Sequence, residues 1–203
     1  MATPGEHLLW RAMGDLVYVL NIRDGRYAGL SGSEAERWVR GFGAARITRP
    51  APVHRPPAPG WWGASRHVLA WQANRRVRQV LARAGFHALY ALAEGSAPAA
   101  PSAVPSAAPS AAPSATPCTA AAALAAFLRA ELLFRNKNPD RDCLVRSFSL
   151  YLYLRGLGFP ATHRIGIVPY PFDAHAWVEL DGKPVLERRT SMERWHVISQ
   201  LGQ

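Results

Sequence analysis

Apolar and polar residues alternate through residues 7–30 and then switch to helical spacing, so the chain opens as strands and continues as a helix. Residues 7–12 and 15–21 predict two strands, the second with Leu16, Tyr18 and Leu20 on one side. Arg23, Asp24 and Gly25 then turn the chain into a third strand over 26–30. Ser31 and Ser33 are candidate N-caps for a helix over 34–41 whose apolar side carries Ala35, Trp38 and Val39. Residues 43–60, with Pro50, Pro52, Pro56, Pro57 and Pro59, read as a linker. Helical spacing returns over 61–94, where Gly85 marks a break between two helices, and residues 120–134 form a strong helix of their own.

The densest apolar stretch starts at Cys143 and runs to Leu154, ending where Gly156, Gly158 and Pro160 stop a helix. It predicts a buried helix with Cys143 in its first turn and Asp142 as N-cap. Strand-like runs follow at 161–168 and 174–180, then the turn signal Asp181-Gly182 and a further strand over 183–187. An antiparallel pairing centred between Asp181 and Gly182 sets Glu187 opposite Ala176, beside His175. Trp195, Val197 and Ile198 suit one last strand.

Composition narrows the setting. The chain has 203 residues, a net charge of +10 and only 2 cysteines, which excludes a disulfide framework and fits a free thiol in a reducing compartment. No run of about twenty apolar residues exists and no signal-peptide layout opens the chain, so the expectation is a cytoplasmic protein with no membrane partner. Lysine occurs only at Lys137 and Lys183, so the charge is nearly all arginine in a chain crowded with alanine and proline. That bias reads as compositional and argues against nucleic acid; a basic surface that attracts an acidic peptide is the better use. Residues 95–117 are almost wholly Ala, Pro and Ser and cannot bury enough apolar surface to offset chain entropy, so a tether is expected there. No spaced Cys/His clusters call for zinc, and no cofactor is expected.

Chemistry concentrates in Cys143, His175 and Glu187. A cysteine at a helix N-terminus is stabilised as thiolate by free N–H groups and the dipole. A strand histidine with a carboxylate on the neighbouring strand completes the logic of a thiol acyl-transfer site. Asp181 is the runner-up for the acid, although Asp-Gly has its own reason to sit in a turn. Cys118, at the end of the Ala/Pro/Ser segment, lacks a nearby base and is expected to be exposed or frayed.

These residues carry a resemblance. Cys143, Leu144, Ser147 and Leu150 match a C-L-x-x-S-x-x-L pattern, and Ala174 to Glu179 match A-H-A-W-V-E without a gap. Both patterns, and the spacing between them, resemble the B protein of lasso-peptide biosynthesis, a leader peptidase of the transglutaminase-like cysteine peptidase superfamily. The departure is Glu187, where that family usually carries aspartate. Residues 15–30 approximate the pattern of the peptide-recognition element of modified-peptide pathways, similar to the small chaperone of quinone-cofactor biosynthesis.

The resemblance implies an α+β fold in two parts. Residues 1–57 would be a small winged-helix-like leader-recognition module with its linker, binding a peptide as an added strand. Residues 58–203 would be a transglutaminase-like, papain-like cysteine peptidase domain with a disordered insertion at 95–118. The implied activity is removal of the leader from a ribosomally made lasso-peptide precursor, with Cys143 as nucleophile, His175 as base and Glu187 as orienting acid. The implied partners are the leader region of that precursor and an asparagine-synthetase-like cyclase. A transglutaminase-like acyltransferase and a non-catalytic peptide-binding adaptor are the alternatives.

Overall fold

The alternation near the N-terminus becomes an antiparallel meander of β1 (Leu8–Met13), β2 (Leu16–Asn21) and β3 (Arg26–Ser31), followed by α1 (Gly32–Phe42). The structure is a computed structural model that describes residue 5 and residues 7–47, 65–95, 118–134, 142–187 and 191–202. Ser31 stands at the N-cap of α1, without a side-chain capping bond. A two-residue strand, β4 (Ala45–Arg46), adds to the outer edge of β1, so this sheet runs β3-β2-β1-β4. The start of the expected linker is thus partly sheet, because Ala12 donates its amide to the Ala44 carbonyl and draws the chain alongside. The proline-rich residues 48–64, including Trp61 and Trp62, and residues 96–117 of the expected tether lie outside the described residues.

Two helices, α2 (Arg66–Ala84) and α3 (His87–Gly95), meet at Gly85, whose positive φ of 78° suits a helix-ending glycine. Helix α4 (Ala120–Glu131) is shorter than its apolar pattern, and Leu132 and Leu133 beyond it are exposed. Next comes α5 (Cys143–Gly156), the most buried of the helices. A second antiparallel sheet follows, built from β5 (Thr162–Val168), β6 (Asp173–Leu180), β7 (Lys183–Pro184) and β8 (His196–Leu201), in the order β7-β6-β5-β8. Helix α2 lies against α4 and α5, and α5 lies on β5 and β6. Buried polar bonds fix these layers: Asn74 donates to Ser149 at 3.2 Å, and the Tyr90 and Ser199 hydroxyls bond at 2.7 Å.

The two sheets are joined by side chains. Leu9, Tyr18 and Leu20 of the first sheet belong to the same buried cluster as Leu89, Phe148, Ile165 and Ile198. Arg11 reaches across to donate to the Val197 carbonyl at 2.8 Å, and β1 lies beside β8. The Tyr18 ring stacks on Phe172, in the turn between β5 and β6, at 6.0 Å between centroids. The opposite face of the first sheet is covered by α1, where Trp10, Trp38 and Phe42 meet edge to face. Among the described residues no helix is long and apolar enough to cross a membrane.

Candidate active site

Cys143 opens α5, as its position ahead of the apolar run predicts, but the first turn is arranged differently from the expectation. Asp142 occupies the N-cap position with φ −92° and ψ 15° and makes no side-chain capping bond. Its carbonyl accepts the first helical bond, from Arg146, while its carboxylate leaves the early amides untouched. Of those amides, that of Leu144 bonds the sulfur. Burial pushes the Cys143 thiol up, but the His175 imidazole and the backbone N–H groups of Ala176 and Leu144 outweigh that and hold it below its ordinary value.

His175 sits on β6 opposite Gly166 of β5 and lines one pocket with Cys143. Its Nε2 lies 2.8 Å from the Glu187 Oε2, with both side chains at least nine-tenths buried. Nε2 being occupied, Nδ1 is the nitrogen left to exchange a proton with the Cys143 thiol, and it is buried with no other partner. Burial favours the neutral ring, yet the pull of Cys143 and Glu187 is larger and raises the His175 pKa to about 9. The two shifts run in the same sense, each group favouring the thiolate–imidazolium form of the pair.

Glu187 arrives by a route that the strand pattern only half contains. The ladder holds the expected register, with Leu180 opposite Lys183 and Glu179 opposite Pro184, and the Val185 amide extends it to the Val178 carbonyl. There the expected strand stops. Leu186 adopts a positive φ of 54°, which turns the chain and swings Glu187 in toward His175. Arg146 of α5 secures this turn by donating to the Leu186 carbonyl at 2.8 Å, and its guanidinium is itself held by Glu131 in an ion pair of 2.5 Å. Asp181, the alternative acid, is exposed in the hairpin turn with φ 50°, away from the imidazole.

The His175 ring is also clamped from its sides. Trp177, two residues on along the same face of β6, stacks near it at 6.1 Å, and Trp195 lies against it at 5.4 Å. The Trp177 indole donates to the buried Glu179 at 2.9 Å, and Glu179 pairs with Arg164 of β5 at 3.0 Å. This gives the A-H-A-W-V-E run a physical reason: its histidine, tryptophan and glutamate share one face, each fixing the one before it. Gly166 makes room for both indoles, since a Cβ there would stand 2.8 Å from the Trp177 ring and 3.1 Å from the Trp195 Cβ. Gly166→Ala is expected to cost about 1–3 kcal/mol by overpacking, readable as a lower midpoint in thermal denaturation, and to reduce turnover by tilting His175.

The other buried histidine has a different role. His163 is wholly enclosed beside Phe148, with Nε2 2.9 Å from the Ser147 Oγ, and burial drives its pKa down to about 3. It is a neutral bolt between β5 and α5 rather than a base. Cys118 stands just ahead of α4, half-buried and packed against the core rather than frayed, with its sulfur 3.5 Å from the Thr119 carbonyl. Thr119 caps α4 by accepting from the Ala122 amide, which fixes that end of the helix. Among the described residues no group of three or more potential ligands could hold a metal ion.

The profile of the transglutaminase-like superfamily matches residues 61–200, more than half of the chain. The chain belongs to that superfamily. Comparison with curated proteins and with solved structures gave no match. The transglutaminase-like domain spans both halves of the site, from the helices that carry Cys143 to the strands that carry His175, and membership points to cysteine-based acyl chemistry, as peptidase or acyltransferase. Of the residues around the transglutaminase-like site, Arg146 carries no role in the sequence pattern, and Trp195, expected in the last strand, stands just ahead of β8 instead. An arginine inside an apolar helix was the available signal for the first.

Proposed function

We propose that the protein is a cysteine peptidase that removes the leader from a ribosomally synthesised lasso-peptide precursor, before a partner asparagine-synthetase-like cyclase closes the ring. The observation that carries the peptidase reading is His175 held between Cys143 and Glu187, with its pKa raised to about 9. That base can stay protonated at neutral pH beside a thiolate, as attack on an amide requires. The leader-specific part rests on the resemblance of the Cys143 and His175 motifs and on the first sheet. There β3 is an edge strand, and its outer side is free among the described residues to take an added strand. The order β1, β2, β3, α1 is also what a small winged-helix-like recognition module would begin with.

In the proposed reaction the Cys143 thiolate adds to the scissile carbonyl carbon and the carbonyl electron pair moves to oxygen, where the Cys143 backbone N–H is the expected donor. Collapse breaks the C–N bond as His175 gives its proton to the departing amine. Water, deprotonated by His175, then adds to the thioester and releases the leader as a carboxylic acid with return of the thiolate. Glu187 keeps the imidazole oriented throughout. The freed amine is the group that the cyclase would join to an Asp or Glu side chain.

Incubating the protein with a candidate precursor and reading masses tests the proposal. Two fragments whose masses sum to precursor plus water are expected. A gain in mass by amide transfer would establish the acyltransferase alternative, and an unchanged precursor bound by the protein would establish the adaptor.

A further inference from the structure

The cleft that leads to Cys143 and His175 has a volume of about 450 Å³, and one of its walls comes from outside the transglutaminase-like region. Asp24, Gly25 and Tyr27, from the turn between β2 and β3 and the start of β3, line it together with Leu144, Phe86 and Ile165. Tyr27 is firmly placed there. Its ring meets Phe172 edge to face at 5.5 Å, and Phe172 is in turn stacked on Tyr18. Gly25 fits against the Phe86 ring, which a Cβ would approach to 3.4 Å at a φ of +73°, so the turn is seated on α3's entrance with little slack.

We propose that Tyr27 is a positioning residue of the active site: its ring forms the wall that holds an apolar side chain of an extended peptide beside the Cys143 sulfur. The first sheet thereby completes the site as well as offering an edge strand. The chemistry of the cleft supports an apolar occupant, because Leu81, Phe86, Leu144 and Ile165 line it and Asp24 is its acidic member. The phenol is suited to the role. Burial, with a smaller contribution from the nearby Cys143 thiolate, raises its pKa, so the ring stays neutral throughout the range in which the thiolate and imidazolium coexist. This inference deepens the peptidase reading and rests on it for the identity of the occupant, whereas the position of the wall can be tested without any peptidase activity.

The test compares full-length wild type with Tyr27→Phe, Tyr27→Leu and Tyr27→Ala, using two readouts. The first is the rate at which iodoacetamide alkylates Cys143, followed by mass. Removing the ring uncovers the sulfur, so alkylation should quicken several-fold in Tyr27→Ala and change little in Tyr27→Phe. The second is cleavage of short peptides that span the scissile bond with either a leucine or a glycine beside it. Tyr27→Ala should raise KM for the leucine peptide by about tenfold, as expected when one wall of an apolar pocket is lost. The glycine peptide should shift far less, and the alkaline limb of the pH profile should stay in place because His175 and Glu187 are untouched.

Tyr27→Leu keeps apolar bulk on the strand and guards against a variant that fails to fold; it should fall between Phe and Ala in both readouts. Equal losses in Tyr27→Phe and Tyr27→Ala would transfer the role to the hydroxyl and overturn the wall. Alkylation and leucine-peptide KM within twofold of wild type in Tyr27→Ala and Tyr27→Leu would overturn it outright. If wild type cleaves no peptide, the peptidase reading fails by itself, and the alkylation rates still decide whether Tyr27 covers the thiol.

Discussion

Cys143→Ala is expected to abolish precursor cleavage, with a fall of at least about a thousandfold, because no other group near His175 can form the thioester. The fold should survive. Cys143 is only half-buried at a helix start, and removing its sulfur opens little space in the core behind it. The same measurement on Cys118→Ala should return close to wild-type activity, since that sulfur sits ahead of α4 beside Thr119 and takes no part in the Cys143–His175 pair. Leader release followed by mass spectrometry, with circular dichroism as the check on folding, reads both. Full activity in Cys143→Ala would end the thiol mechanism, and loss in Cys118→Ala alone would relocate it.

The second large effect belongs to Glu187. Glu187→Gln preserves the size and an acceptor oxygen but removes the charge that helps hold the imidazolium, so His175 should lose its proton at lower pH. The working form needs Cys143 deprotonated and His175 protonated. Its acidic limb therefore follows the lowered thiol, and its alkaline limb follows His175 at about 9. In Glu187→Gln the alkaline limb should move to lower pH and narrow the profile from that side, with kcat down by about a hundredfold or more. A profile of unchanged width would mean that the carboxylate charge does not help hold the imidazolium proton. Glu187→Asp should recover only part of the rate here, because the turn at Leu186 is set for the longer side chain.

The comparison of sequence with structure turns on which features are local. Cys143 at a helix start, His175 on a strand and the register of the Asp181-Gly182 hairpin all follow from period and turn chemistry within a few residues of each other. The pairing arithmetic brought Glu187 to the correct neighbour, although the strand it assumed ends at Pro184 and the last step is made by a positive φ at Leu186. No propensity marks a leucine for that conformation; it is imposed by the Arg146 bond to the Leu186 carbonyl, which links residues 40 apart in sequence. Asp142 shows the opposite error. A capping residue stood in the expected place, but its side chain does not cap, and the Leu144 amide bonds the sulfur instead. The joint between the sheets was invisible for a plainer reason: Tyr18 and Phe172 each look like ordinary apolar positions, and only the fold sets one ring on the other.

The bond from Arg11 to the Val197 carbonyl spans 186 residues. During synthesis, the β1–β2–β3 meander leaves the ribosome well before its partner strand β8 and can pair locally in the meantime. Until then Leu9 and Leu20 lack the β8 side of their shared core, to which Ile198 and Leu201 belong. The nascent chain can therefore carry a paired β1–β2–β3 meander while Cys143 still awaits its finished surroundings, so the thiol gains its partners only after the first sheet has formed.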